Sequence, residues 1–444
     1  MKKSFALLAL IALTPYALAT DININNCTTL NVEGATYTLT SDIPDSSAME
    51  CLSILANNVT LDCNRHTIRG MNLSDSNGII VNGASGANVK NCKTTNWYYG
   101  VVSTRGSNNA FTNITSSSSK MWGLVFDAGK NITLRNALIT GSGSYAFLAL
   151  NSSGGFIHNI SITYCKSFGF DLWNSSDNII SGVYAHDNTG DAHGIILDNS
   201  HNNSLGEIET YRNHENGIYL YYSDNNTLTN GSTRANNLSG VVLYNSRGNV
   251  LDNITSDGNK VTGVWVDESD ENTIKNSRIT GNTYTGIIID DSSDNAVYNN
   301  YFSNAAGNGM LENAQGTNSF NSSKTTGNRV YSQGNEIGGN YWSAPEQNGY
   351  SDTCTDVNAN GFCDQEYALA DGNVDRLPLS DKYQTTTTSS TTSTTQGACE
   401  LTGDEPPCGE INISEIVTII NKWVAGQATI PEVVALINAW ATAT

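Results

Sequence analysis

The sequence predicts an all-β chain wound into a parallel solenoid, and three observations predict it. Asn203, Asn226, Asn249, Asn272 and Asn295 are spaced 23 residues apart, as are Gly217, Gly240, Gly263, Gly286 and Gly309. The glycine column runs backwards through Gly194, Gly169, Ala146, Gly123, Gly100 and Gly78 with steps of 22 to 25. After each glycine the first and third residues are apolar, as in Ile218 and Leu220, Val241 and Leu243, Val264 and Val266, Ile287 and Ile289. That alternation is the period of a strand.

One unit of three short strands cannot enclose a core, but units stacked on one another can. Equivalent residues then lie about 4.8 Å apart, and roughly eleven coils make a rod about 50 Å long. The coils cover residues 57–317, behind an N-terminal cap at 20–56 and ahead of a C-terminal cap at 318–383. Stacking turns sequence columns into ladders. Asn188, Asn213, Asn236, Asn259 and Asn282 form an amide ladder at a buried turn, each donating to the next, and Ser152, Ser175, Ser200, Ser223, Ser246, Ser269 and Ser292 form a second column. Cys165 falls in the asparagine column, where a buried structural thiol is expected.

Charge narrows the function. With 22 Lys and Arg against 42 Asp and Glu, the net charge is -20, so the basic stripe of a nucleic-acid binder is missing. Residues 1–19 read as a secretory signal: Lys2 and Lys3, an apolar run from Phe5 to Leu13, then Ala17-Leu18-Ala19. The apolar run is too short to span a bilayer and no later stretch is longer, so a secreted or cell-surface chain without a transmembrane span is expected. Export makes the nine cysteines a disulfide question. Proximity pairs Cys27 with Cys51, Cys63 with Cys92, Cys354 with Cys363, and Cys399 with Cys408, leaving Cys165. Sequons such as Asn58-Val59-Thr60 and Asn253-Ile254-Thr255 fit an exported glycoprotein.

The repeat resembles the right-handed parallel β-helix of the NosD-like and carbohydrate-binding/sugar-hydrolase group, over about 60% of the chain. The resemblance implies right-handed coils, in keeping with the general handedness of crossovers. It implies a fold more than a function, because repeat residues build coils rather than sites.

Outward positions after the glycines mix rings and acids: Asp171, Trp173, Asp198, Tyr219, Tyr221, Tyr244, Trp265, Asp267 and Asp290. Rings stack on the apolar faces of sugars and carboxylates accept their hydroxyls, so Trp173, Asp198, Tyr219, Tyr221, Tyr244 and Trp265 are candidate carbohydrate contacts. The same residues would also line an ordinary exposed sheet, for which Tyr and Trp have high propensity. Tyr99, Trp122, Tyr145, Phe168 and His193 make a further aromatic column just before the glycines, the mark of a structural ladder. Asp267 and Asp290, one coil apart, are the candidate catalytic pair of a glycosidase or lyase. The irregular coil Asn188–His193 carries two extra residues and lies among five of the six histidines, but no spacing there matches a transition-metal motif. The Gly-His-Gly segment of polygalacturonase-like members is missing, and the copper-delivery role attached to the NosD name finds no support with five Met.

After the coils, Asp356, Asn358, Asn360, the Phe362 carbonyl and Asp364 alternate as at the start of a calcium loop, with Gly361 at the turn. Tyr367 stands where the bidentate Glu would be, and Asp371 or Asp375 could complete the shell. With Gly339-Asn340-Tyr341-Trp342-Ser343 ahead of it, the segment resembles the terminal extension of NosD-like proteins, which implies a structural Ca²⁺. Residues 384–398 are a Thr/Ser linker. In 399–444, Ile413-Ser414-Glu415-Ile416-Val417 recurs as Ile430-Pro431-Glu432-Val433-Val434, giving a small α-helical hairpin similar to a dockerin without its Asp-rich loops. The expectation is an exported or cell-surface protein that binds a polysaccharide or glycan on its outer strand face, with the hairpin docking to a surface protein. The alternatives are a polysaccharide-degrading or -modifying enzyme and a non-catalytic spacer.

Overall fold

The computed structural model describes residues 20–313, 317–370 and 372–384, together with 422, 429 and 433–435. The chain divides into two compact units, 1–384 and 385–444. The signal segment, the linker, Cys399, Cys408, Asp371 and nearly all of the hairpin lie outside the described residues. Of the second unit, 433–435 are helical.

The first unit is a right-handed parallel β-solenoid whose coils follow the 23-residue columns. Every neighbouring pair in the thirteen-stranded second sheet is parallel, and in the regular coils the register step equals the sequence period: Ile218 pairs with Val241, Val241 with Val264, and Val264 with Ile287. Residues 20–56, expected as a cap, already contribute strands: Thr28–Leu30 and Glu50–Ile54 open the second sheet, and Asp21–Ile24 and Thr36–Leu39 pair in the first. Thirteen coils at strand spacing give a length on the order of 60 Å.

The strands of the eighteen-stranded first sheet bend in the middle. Asn91, Asn113, Asn136, Asn159, Asn230 and Asn253 take left-handed φ of 54–59° at the same position of their coils, with Gly182 and Glu207 between, a conformation asparagine tolerates better than other residues with a Cβ. Their amides bridge the coils, Asn113 to Asn91 at 2.9 Å and Asn253 to Asn230 at 2.8 Å. This exposed ladder escaped the sequence reading, whereas the buried one is present: Asn213 Nδ2 donates to Asn236 Oδ1 at 3.1 Å and Asn236 Nδ2 to Asn259 Oδ1 at 3.0 Å. In the serine column each backbone N–H reaches the next hydroxyl, Ser200 to Ser223 at 2.9 Å. Cys165 is buried in the asparagine column, its N–H on Asn188 Oδ1, and burial pushes its thiol up to about 11.

Glycine recurs before the second sheet because coils touch there. A Cβ on Gly240 would stand 2.1 Å from Ser256 Oγ and 2.7 Å from the Gly263 carbonyl. One contiguous core runs from Ile24 to Trp342. At its far end Tyr341–Ser343 joins the first sheet, and the buried carboxyl of Asp375 accepts the Asn340 N–H and Trp342 Nε1 at 2.8 Å each. Disulfides join Cys27 to Cys51, Cys63 to Cys92 and Cys354 to Cys363, the pairs proximity suggested.

Candidate functional site: the outer face of the second sheet

Between the two inward positions of each strand lies one outward column, Leu148, Asp171, Ile196, Tyr219, Val242, Trp265 and Ile288. Beside it runs a second, Trp173, Asp198, Tyr221, Tyr244, Asp267, Asp290 and Glu312. The sequence reading expected both to face solvent. The structure covers most of the first, with Ile196, Val242 and Ile288 buried and Asp171 only 4% exposed. The neighbours differ along the column: on the side of the glycines Leu148, Asp171 and Ile196 have Tyr145, Phe168 and His193, whereas Val242 and Ile288 have Ser239 and Thr285, and the second column runs along the other side.

Those rings form a continuous track. Tyr145 stacks on Phe168 at 4.9 Å and Phe168 on His193 at 6.1 Å between centroids. Then the track crosses the sheet, His193 to Tyr219 at 5.0 Å, Tyr219 to Tyr221 at 5.8 Å and Tyr221 to Tyr244 at 5.5 Å. The expected ladder and the expected sugar contacts are therefore one surface. Beside it opens a shallow groove of about 330 Å³ lined by His193, Glu215, Tyr219, Tyr244, Trp265 and Asp267, among others. Trp173 stands exposed two coils before Tyr221, and the buried Nε1 of Trp265 has no partner.

The acids of this face are electrostatically strained. Register places Asp267 beside Asp290, and burial, then Asp290, Glu268 and Asp291, push Asp267 up to about 6. Asp171, named only as an outward position by sequence, is perturbed too: burial and the Asp198 carboxylate hold it well above the usual range, and its Oδ1 has no hydrogen-bond partner. One signal could have found it, an acid in a column otherwise filled by Leu148 and Ile196. Burial also raises Asp198, and lifts Tyr219 to about 12. His193 falls to about 4 on burial, and its Nδ1 lies 3.3 Å from the Asn216 N–H.

Two larger grooves, about 500 and 640 Å³, follow the bend of the first sheet. The larger has its charges paired, Arg212 clasping Asp187 with two 2.7 Å bonds and Arg234 pairing with Glu209, while the smaller is lined by Arg65 and Lys93. The histidines separate too. His158 and His186 belong to strands of the first sheet and His193 lies just before the second-sheet strand Ile195–Asp198, and among the described residues no group of three or more His, Cys, Asp or Glu could hold a metal.

In the Asp356–Asp364 loop the expected oxygens face inward. Asp356 accepts the N–H groups of Asn360 and Gly361 at 3.1 and 2.8 Å, Asn360 Oδ1 accepts that of Phe362 at 2.9 Å, and Asp364 accepts that of Val357 at 3.1 Å. The Cys354–Cys363 disulfide ties the loop to the helical turn Tyr350–Thr353.

The fold and this face define the class, a right-handed parallel β-helix protein with an aromatic and acidic outer sheet. Residues 157–347 match the family described as periplasmic copper-binding protein (NosD), and residues 77–206 match the right-handed beta helix region. Among solved structures, a mutant of the periplasmic alginate epimerase AlgG is 16% identical, with 66% of this chain and 74% of that one covered and a TM-score of 0.48. The A-module of the mannuronan C-5 epimerase AlgE6 of Azotobacter vinelandii is 15% identical over 66% and 90%, TM-score 0.49. DFA-IIIase from Arthrobacter chlorophenolicus is 10% identical over 57% and 81%, TM-score 0.45. No curated protein matches the sequence. The copper of the family description does not fit the donors described: six cysteines are tied in disulfides, Cys165 is buried alone, and the histidines lie on different faces. No helix among the described residues is long and apolar enough to cross a membrane, and the disulfides fit an extracytoplasmic compartment.

Proposed function

We propose that this is an exported β-helix protein that binds a glycan along the outer face of its second sheet. The observation that carries the reading is the track from Tyr145 to Tyr244 running beside a groove that holds Trp265 and Asp267. Stacked coils repeat a contact at each strand spacing, which suits an extended polymer of repeating sugars. Purified protein screened against polysaccharides should bind one of them, and Trp173→Ala and Trp265→Ala should each weaken that binding about tenfold. Unchanged affinity in both variants rejects the groove.

Asp267 favours a second reading, hydrolysis or elimination at the same face. An acid held near 6 beside the Asp290 carboxyl can donate a proton at mild pH. Release of reducing ends or unsaturated products, abolished by Asp290→Asn with binding retained, is the expected sign.

Calcium belongs to this proposal as a structural ion. Asp356, Asn358, Asn360, the Phe362 carbonyl and Asp364 would hold it, a hard-oxygen set suited to Ca²⁺. Titration calorimetry should detect Ca²⁺ uptake, and Asp356→Ala should abolish both the uptake and any gain in melting temperature. The segment 399–444 is proposed as the attachment hairpin, so truncation after 384 should leave glycan binding unchanged and release the protein from cells.

A further inference from the structure

The outer side of the first sheet carries a side-chain cluster that the glycan groove does not use. The two larger grooves meet at Ser161, which lines both, so they form one trough across successive coils. Register carries its floor from Leu138 to Ser161, Tyr184 and Glu209, with Leu138 and Tyr184 exposed. His186, Tyr211 and Arg212 line the larger part.

His186 is fixed in place there. Its Nδ1 lies 2.7 Å from Asp187 Oδ2, and its ring stacks on Tyr211 at 4.4 Å with 7° between the planes. The two bonds from Arg212 hold Asp187 in turn, and Arg212, then His186, keep that carboxyl charged by lowering it to about 2. A carboxylate only accepts, so Nδ1 carries the proton and the lone pair of the neutral ring is on Nε2. Among the described residues Nε2 has no hydrogen-bond partner, and it is not sealed from solvent. Thr163 and Tyr211 fill the same position on the adjoining coils, so packing does not require an imidazole. His66, His201 and His214 also face acids, but none of them lines a groove described above.

Both carboxylates of this cluster are held by guanidinium groups, Asp187 by Arg212 and Glu209 by Arg234, which leaves the imidazole as the group placed to take a proton and return it. Breaking a glycosidic bond calls for a carboxylic acid and a second carboxylate. Hydrolysing an ester calls for one base and a donor to the oxyanion. Arg212 and Arg234 each keep Nη1 without a partner among the described residues.

We propose that the trough hydrolyses acyl esters borne on sugar hydroxyls, with His186 as the base, Asp187 positioning it, and the guanidinium N–H groups of Arg212 and Arg234 meeting the oxyanion. Nε2 takes a proton from water as the water oxygen bonds to the acyl carbon. The bond from that carbon to the sugar oxygen then breaks, and the imidazolium returns its proton to the leaving oxygen. The products are a carboxylic acid and a free sugar hydroxyl, with water the only other reactant. Leu138 and Tyr184 offer the apolar surface on which a sugar ring lies.

The full chain should hydrolyse 4-nitrophenyl acetate and glucose pentaacetate with saturation kinetics. His186→Gln should lower kcat/KM about hundredfold on both. Asp187→Asn should lower kcat about as much while KM and the β-rich circular dichroism stay unchanged, because an amide no longer fixes the tautomer. His201→Ala removes an imidazole that pairs with Asp224 outside the trough, and should leave both rates at the parent level. Turnover no faster than with free imidazole at the same concentration, or an equal loss in His201→Ala, overturns the proposal. Hydrolysis of the nitrophenyl ester without release of acetate from the sugar overturns the sugar-ester substrate.

Discussion

Asp171 shows how a single residue can lie outside the logic of a repeat. Its neighbours in the column are apolar, its oxygen is unpartnered, and its proton is held by burial. The pH dependence follows in sign. A carboxyl whose folded pKa lies above its unfolded value binds protons more tightly when folded, so its contribution is greatest below the unfolded pKa and falls as pH rises. For Asp267 that decline runs from about 4 to about 6, and Asp171 extends it in the same direction. Asp187, lowered to about 2 by Arg212 and His186, acts oppositely but only below about 4. Melting temperatures between pH 4 and 8 should therefore drop less in Asp171→Asn and Asp267→Asn than in the parent protein. A steeper drop in either variant contradicts the assignment.

Each coil is held by ladders of two kinds, and they should differ in cost. Asn236 lies fully buried, donates to Asn259 Oδ1, and accepts from both the backbone and side-chain nitrogens of Asn213 at 3.1 Å. Asn236→Ala strands buried donors and should cost about 3 kcal/mol in denaturant unfolding. Asn253 is exposed at φ 57°, so Asn253→Ala should cost only about 1 kcal/mol, mainly from the left-handed backbone, and Asn253→Gly less. The reverse ranking would mean that the bend of the first sheet, and not the buried turn, holds the coils together.

The whole solenoid is a sum of coils and their contacts, so its length should be adjustable in whole periods. Removing one complete unit, residues 227–249, reconnects every column in register: Asn226 then meets Asn272, the partner of the deleted Asn249, and Gly217 meets Gly263. Such a deletion should retain the β-rich circular dichroism and melt within a few degrees of the parent. Removing about half a unit should unfold the neighbouring coils, because inward and outward side chains lose their partners. Survival of the half-unit deletion would show that the columns do not specify the register.

Much of this architecture was legible beforehand because a repeat carries its own alignment. The 23-residue spacing of the glycines and asparagines sufficed to predict parallel coils, the buried Asn188–Asn282 ladder, the serine column and the register of Asp267 on Asp290, since equal steps along the chain become strand contacts in space. Period two told inside from outside. It could not tell which outward side chains would be covered, because that depends on rings in adjacent columns and coils. The burial of Asp171, the crossing of the aromatic track at His193 and Tyr219, and the placing of His158 and His186 apart from His193 were decided only by tertiary structure. Side-chain reach across the sheet, unlike coil spacing, leaves no period in a linear sequence.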